Sequence, residues 1–384
     1  MAKNGMLRFR LYRRPFHTAV TPQLYIQNKQ QHVDPKLKLY DFRSDTVTEP
    51  TNEMFEVMKA ASRGDSVFEE DQSVKELEGY VAEKCGHEAG LFCASGTMTN
   101  QLGLLGHLTQ PPQSVLCDSR SHVYLWEAGG IAFHSRASVT PVIARNGVHI
   151  TADEVERNLV GLDIHTAPTG VISLENTLNG LIFPIEEIRK ISELGRSHDL
   201  AMHLDGARLW NASQESDVPL SEYGKYFDSM SLCLSKGVGA PIGSVLVGNA
   251  KFISRARHLR KLFGGGWRQA GPIAAAAQYC IDTIVPTMKS THMLAKRMAD
   301  QLLTLGVQLQ MPVQTNMIHI DTTGIGLDIQ KHLQPALLRH NIKIGGEATK
   351  SRIVLHHQID KYAVDTFVQV VRDLIHTRNS KSAV

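Results

Sequence analysis

GVISLENTLNGLIFPIEEIRKISELGRSHDLAMHLDGARLW, residues 170–210, carries a short apolar run at each end and a helical pattern between them. GVISLEN and LAMHLDG are continuous enough in apolar residues to be strands buried on both faces, and polar residues close each of them. PIEEIRKISELGRSH, residues 184–198, has the periodicity of a helix. Strand, helix, strand is a βαβ unit, which implies a parallel sheet. The same kind of run recurs upstream as SVLCD (114–118) and downstream as SMSLCLS (229–235) and GSVLVGN (243–249). The expected fold is α/β, with a mostly parallel central sheet whose chemistry lies at the carboxyl ends of its strands.

Farther out, residues 53–79 read as helical with a break around 63–65, and LFCASGTMTNQLGLLGHL (91–108) as strand end, turn and amphipathic helix. GGGWRQAG (264–271) reads as a loop opening a long helix. From about Pro286, helical stretches alternate with the short runs NMIHID, IKIGG and RIVLHH, which describes a smaller α+β domain. The expected organisation is a basic N-terminal segment (1–38), a large domain (39–285) and a small C-terminal domain (286–384). At 384 residues and 42% apolar content the chain can bury two such cores.

A net charge of +3 argues for no nucleic-acid partner. The one internal basic run, Lys251 to Arg268, is by itself as readily a solvated helix face as a functional patch. Five cysteines form no C-x-x-C pair and no zinc spacing, so buried thiols are expected and no metal is. No apolar run approaches the roughly 20 residues that span a bilayer, so no membrane partner is expected. Residues 1–33 contain Lys3, Arg8, Arg10, Arg13, Arg14 and Lys29 and no acid. That pattern reads as a mitochondrial transit peptide or, alternatively, as a basic tail of a cytoplasmic protein.

Polar residues at the ends of the apolar runs are the candidates for chemistry. Asp205 directly follows a strand, beside Gly206 and Ala207; alone it would sooner be read as an N-cap or turn aspartate. Lys236 directly follows the next run, among glycines; alone it is equally a lysine that snorkels from a loop. Together they are what a pyridoxal-5′-phosphate (PLP) site needs: an amine to form a Schiff base and a carboxylate for the pyridine nitrogen. SGTMTN, Ser95 to Asn100, opens a helix and offers backbone N–H groups to a phosphate, or simply caps it. His122, in SHVYLWEAGG with Trp126 and Glu127, is placed to stack on a planar cofactor, to move a proton, or to fill a turn.

DFRSDTVTEPT, ASGTMTNQ, HVYLWEAGG, LENTLNG, HLDGARLWNA, SLCLSKGVGAPIGS and GGGWRQAG occur in this order within residues 41–271, and the resemblance they carry runs from about Tyr40 to Arg352. The set resembles the threonine aldolases, of the beta-eliminating-lyase group of fold-type-I PLP enzymes. The resemblance implies that Lys236 carries the cofactor, Asp205 meets its ring nitrogen and His122 stacks on its ring. It implies that Gly96 and Thr97 hold the phosphate, with Lys261 and Arg268 reaching the phosphate of a neighbouring subunit in a homotetramer. Ser44, Arg208 and Arg352 would hold the carboxylate of a small amino acid, Arg208 also standing by the cofactor. The implied reaction is retro-aldol cleavage of L-threonine or L-allo-threonine to glycine and acetaldehyde. One position departs from the family: its usual ENTHNG reads ENTLNG here, so Leu178 stands where a proton-handling histidine is usual. β-Elimination, racemisation, or cofactor binding with little catalysis are the alternatives which that departure raises.

Overall fold

The computed structural model describes residues 38–382; the basic segment read as an address lies, but for Lys38, outside them. Strand β1 (Tyr40–Asp41) is followed by β2 (Ala89–Cys93), β3 (Ser114–Asp118), β4 (Ser138–Val142), β5 (Thr169–Glu175), β6 (Ala201–Asp205), β7 (Ser229–Cys233) and β8 (Ser244–Gly248). β2 to β8 form one seven-stranded sheet in the order β2-β8-β7-β6-β5-β3-β4. β3 to β7 are parallel, and only β8 runs against its neighbours. β3, β7 and β8 are buried along their whole length, as strands covered by helices on both faces must be.

The helix expected within residues 184–198 spans Ile185–Ser197 and turns Ile188, Ile191 and Gly195 toward the sheet. β4, SVTPV, was not legible as a strand. Pro141 lacks an N–H to donate, and β4 sits at the sheet's edge, pairing with β3 alone, where one side of the ladder is dispensable.

The small layer contains β9 (Gln308–Leu309), β10 (Met317–Asp321), β11 (Ile342–Lys343) and β12 (Lys350–Val354). β10 is the centre of an antiparallel sheet between β9 and β12. Helices Met288–Thr304 and Lys361–Ser382 pack together over it. The chain enters through this layer: β1 pairs with β11, and Phe42 is fully buried in its core. The first strand, which the expected organisation places in the large domain (39–285), thus packs with the last hundred residues. Among the described residues no helix is long and apolar enough to cross a membrane.

Helix Gly96–His107 lies on the sheet so closely that Gly103 touches a strand side chain; a Cβ there would sit 2.5 Å from the His203 ring. Gly→Ala inside a helix ordinarily stabilises by about 1 kcal/mol. Gly103→Ala should instead cost about 1–3 kcal/mol through overpacking, read as a lower urea midpoint. A gain in stability would mean that His203 can move aside.

Candidate functional site

Strand register brings the site together. Glu175 pairs with Asp205, and Asp205 with Ser231, so the carboxyl ends of β5, β6 and β7 are level. Asp205 is 2% exposed. Its Oδ1 accepts from the Ala207 N–H at 3.0 Å and its Oδ2 from Asn100 Nδ2 at 2.8 Å. The Asn100 amide nitrogen also donates to Glu127 Oε1 at 2.8 Å. With both N–H bonds given to carboxylates, Asn100 turns its oxygen to His203 Nε2, 3.1 Å away. His203 Nδ1 meets Ser229 Oγ, which also meets His107 Nε2, each at 2.8 Å. Burial pushes His203 down to about 3 and His107 to about 4, so this chain behind Asp205 is neutral.

His122 sits at the start of the turn after β3. Its backbone N–H donates to Glu175 Oε2 at 2.7 Å, and its Nδ1 meets Glu127 Oε1 at 2.9 Å. Burial alone would depress this imidazole; the Glu127 hydrogen bond and the Asp205 and Glu127 charges outweigh it and hold it above the ordinary value. Glu175, half-buried at the strand end, is pushed up to about 8 by desolvation and by the Asp205 charge, and holds its proton at neutral pH. His122, Glu127 and Asp205 bring ligand atoms within 4.8 Å of one another. They do not form a ligand shell: one amide nitrogen donates to both carboxylates, which is a hydrogen-bonded support for Asp205.

Lys236 stands one turn beyond β7, half-buried, its carbonyl accepting from the Gly239 N–H and its ammonium in no ion pair or hydrogen bond among the described residues. Its ammonium acts on Asp45, Glu175 and His122, which places it at the same end of the sheet. Gly96 begins a 12-residue helix capped by Ser95, whose Oγ accepts from the Met98 N–H at 3.1 Å. The N–H groups of Gly96 and Thr97 have no partner in the described chain, and a Cβ on Gly96 would run into Cys233 Sγ. The residues fit PLP on these grounds: a buried carboxylate held in place for a ring nitrogen, an uncommitted amine, and unpaired amides at a helix N-terminus for a phosphate.

Arg208, after β6, gives Nε and Nη2 to Asp45 at 2.9 and 2.6 Å. Asp45 is fully buried; its own desolvation is overcome by Arg208, and its carboxyl is held down to about 2. Asn316 Nδ2 completes the set at 3.3 Å, so the pair joins the entering segment, the large sheet and the small layer. Arg352, on β12, has no carboxylate partner among the described residues; its one hydrogen bond is to the Arg43 carbonyl at 3.4 Å. Burial and the neighbouring Arg208 lower it, which leaves a half-buried, partly desolvated guanidinium beside the Asp45–Arg208 pair. Ser44 Oγ accepts from Thr46, leaving its own proton to give. Lys261 and Arg268 lie outside this constellation. Both are exposed, and Arg268 pairs with Asp65 at 3.1 Å.

Asn100, Glu127, Glu175 and Asp45 belong to the site, yet sequence reasoning gave none of them a role. Each lies inside a motif with a more conspicuous neighbour, and only their burial together distinguishes them. Leu178 is buried in the turn after β5, bridged to Leu181 across Asn179 (φ 55°) and Gly180 (φ 86°). A side chain on Gly180 would be strained there and would press on Met317 of β10.

The Asp45–Arg208 pair gives two expectations. Asp45→Asn leaves a buried arginine uncompensated and should lower unfolding free energy by about 3–5 kcal/mol in urea titration. A loss below about 1 kcal/mol, as for a surface pair, would mean that Arg208 finds another partner. Because the folded pKa is depressed, this stability is present above the unfolded value, about 3.9, and is lost as pH falls through about 2. Glu127→Gln should move the His122 titration downward in NMR, since burial then meets less opposition; an unmoved titration would assign the proton to Asp205 alone.

Residues 41–323 match the family described as beta-eliminating lyase. The chain is 47% identical over 339 residues, 87% of its length and 90% of the relative's, to the low-specificity L-threonine aldolase of Candida albicans. It is 45% identical over 324 residues, 84% and 82% of the two chains, to the low specificity L-threonine aldolase of Saccharomyces cerevisiae. A solved structure of Leishmania major threonine aldolase superposes with a TM-score of 0.75 over 88% of this chain and 99% of that one, at 19% identity, and so shares its fold.

Proposed function

The chain belongs to the beta-eliminating lyase family, and from this premise we infer that it is a PLP-dependent lyase cleaving L-threonine, and L-allo-threonine with it, to glycine and acetaldehyde. The observation that carries the reading is Arg352. It is a desolvated guanidinium with no carboxylate of its own, within electrostatic reach of Arg208 and Asp45 beside Lys236. A planar fork in that state is a receptor for an amino acid's carboxylate.

PLP, when bound, supplies an electron sink for the pair left on the α-carbon as the Cα–Cβ bond breaks. Asp205 would meet the ring nitrogen, its position fixed by the Ala207 N–H and Asn100. Lys236 would hold the cofactor covalently and give way to the substrate amine. The Gly96 and Thr97 amides would take the phosphate, and His122, fixed by Glu127, would stack on the ring. Arg352 and the Ser44 hydroxyl would anchor the carboxylate, so that the scissile bond is held in one orientation. Arg208, with Nε and Nη2 bound to Asp45, would act chiefly by positioning this wall and only through Nη1 on a ligand.

Lys261 and Arg268, exposed and outside their own pocket, support a homo-oligomer, a tetramer on this reading, in which they reach a neighbour's phosphate. Tyr124, Leu125, Trp126 and Phe133, exposed just after His122, support burial of the same face. The basic N-terminal segment supports a mitochondrial address.

Purified holoenzyme given L-threonine and L-allo-threonine separately should release equal amounts of acetaldehyde and glycine. Lys236→Ala should abolish this, and Arg352→Ala should raise KM about 30-fold or more, as loss of one desolvated charge contact does. Pyruvate and ammonia from serine, or inverted alanine, without acetaldehyde would replace the aldol reaction with elimination or racemisation at the same site.

A further inference from the structure

The turn after β5, joined to the site where the Asn176 N–H donates to the Asp205 carbonyl, presents leucine at 178, and the Leu178 side chain can neither give nor take a proton. An imidazole nevertheless reaches this turn, from the small layer. His319 lies in the middle of β10, and its Nε2 is 3.1 Å from the Asn179 carbonyl oxygen. Alternation along β10 decides which way it faces. Ile318 and Ile320 are buried in the small layer's core, so Met317 and His319 project from the opposite face. Met317 lies against Gly180, in the same turn. Across the antiparallel pair His319 is opposite Arg352. The carboxylate receptor and this imidazole are therefore neighbours on one rigid sheet, on the face turned toward the large domain.

The state of the ring follows from its partners. A carbonyl oxygen only accepts, so Nε2 carries the hydrogen and Nδ1 presents a lone pair. Nδ1 has no hydrogen-bond partner among the described residues. Burial depresses the imidazole; the Asn179 carbonyl opposes this and the Arg352 cation adds to it, leaving His319 below the ordinary histidine value and neutral near pH 7. A neutral ring with one nitrogen tied back and the other free, next to a carboxylate anchor, is poised to accept a proton.

We propose that His319 is the group that receives the substrate's β-hydroxyl, its Nδ1 accepting the hydroxyl proton while Arg352 beside it holds the carboxylate. This rests on the aldol reading of the site. As Nδ1 takes the proton, the O–H bonding pair becomes the second bond of acetaldehyde's carbonyl, and the Cα–Cβ pair stays with the α-carbon. That carbon regains one proton to leave as glycine, so the imidazole, returning its proton directly or through solvent, is neutral again after each turnover. The recognised chemistry is a β-hydroxy α-amino acid, and the small domain contributes both of its polar anchors.

The test compares wild type, His319→Gln and His319→Ala as holoenzymes in two reactions. One is acetaldehyde release from L-threonine; the other is exchange of the α-hydrogen of glycine in deuterium oxide, which needs the cofactor site and the carboxylate anchor but no β-hydroxyl. Glutamine can keep the N–H bond to the Asn179 carbonyl, but its amide oxygen, although it accepts a hydrogen bond, is too weak a base to take the proton. Both variants should lose about 10²-fold or more in kcat/KM for cleavage, in the range of general-base contributions, and keep glycine exchange. In histidine-labelled wild type, the His319 nitrogens should report the Nε2-protonated neutral ring and shift with L-threonine but not with glycine. Cleavage by His319→Gln at the wild-type rate overturns the proposal and leaves His319 a tie between domains. Parallel loss of cleavage and exchange overturns it too, because the whole amino acid would then be misplaced. Wild type that exchanges glycine but releases no acetaldehyde overturns the aldol reading itself, and the role of His319 with it.

Discussion

Three carboxyl groups, buried Glu127 and Asp205 and half-buried Glu175, gather at the carboxyl edge of one parallel sheet, and desolvation of that much like charge is costly unless each group is given donors or a proton. The structure does both. Asn100 divides its two N–H bonds between Glu127 and Asp205, the Ala207 and His122 backbones supply others, and Glu175 keeps its proton. The helix that carries Asn100 has to lie close to β6 for this, which is why Gly103 meets His203 without room for a methyl group. Asp205 is thus held by a fixed set of bonds and has no freedom to pair with Lys236, which stays uncommitted.

A second pairing sets the relation between the two layers. Asp45 and Arg208 close on each other where the entering segment, the turn after β6 and Asn316 meet. One arginine is neutralised inside the protein, and its neighbour Arg352 is left without a carboxylate. Two guanidiniums with one internal carboxylate between them leave a net positive charge in a half-buried place, the electrostatic equivalent of a missing ligand. The small layer does more than cover the site: β10 sets His319 against the turn that contains Leu178, and β12 places Arg352 opposite it across the ladder.

Much of the site was legible because its chemistry is confined to strand ends. Asp205 and Lys236 each follow a run of buried residues, and that position separates a functional polar residue from a surface one. His122 and Gly96 could be placed for the same reason. Asn100 and Glu127 could not, since their importance lies in a hydrogen bond between two residues 27 positions apart. His319 was invisible within NMIHID for a similar reason. Period-two alternation shows that it faces away from Ile318 and Ile320, but not what lies on the other side.

The sequence by itself determined the α/β class, the parallel sheet, the strand-end positions of Lys236 and Asp205, and membership of a family, because local periodicity and ordered motifs are properties of contiguous residues. Only the tertiary structure decided that Arg208 is spent on Asp45 while Arg352 is free, that β1 belongs to the small layer, and that His319 meets the turn at Asn179. Those outcomes depend on which distant segments share one buried volume. There the cost of desolvating a charge selects its partner, and no local pattern records that selection.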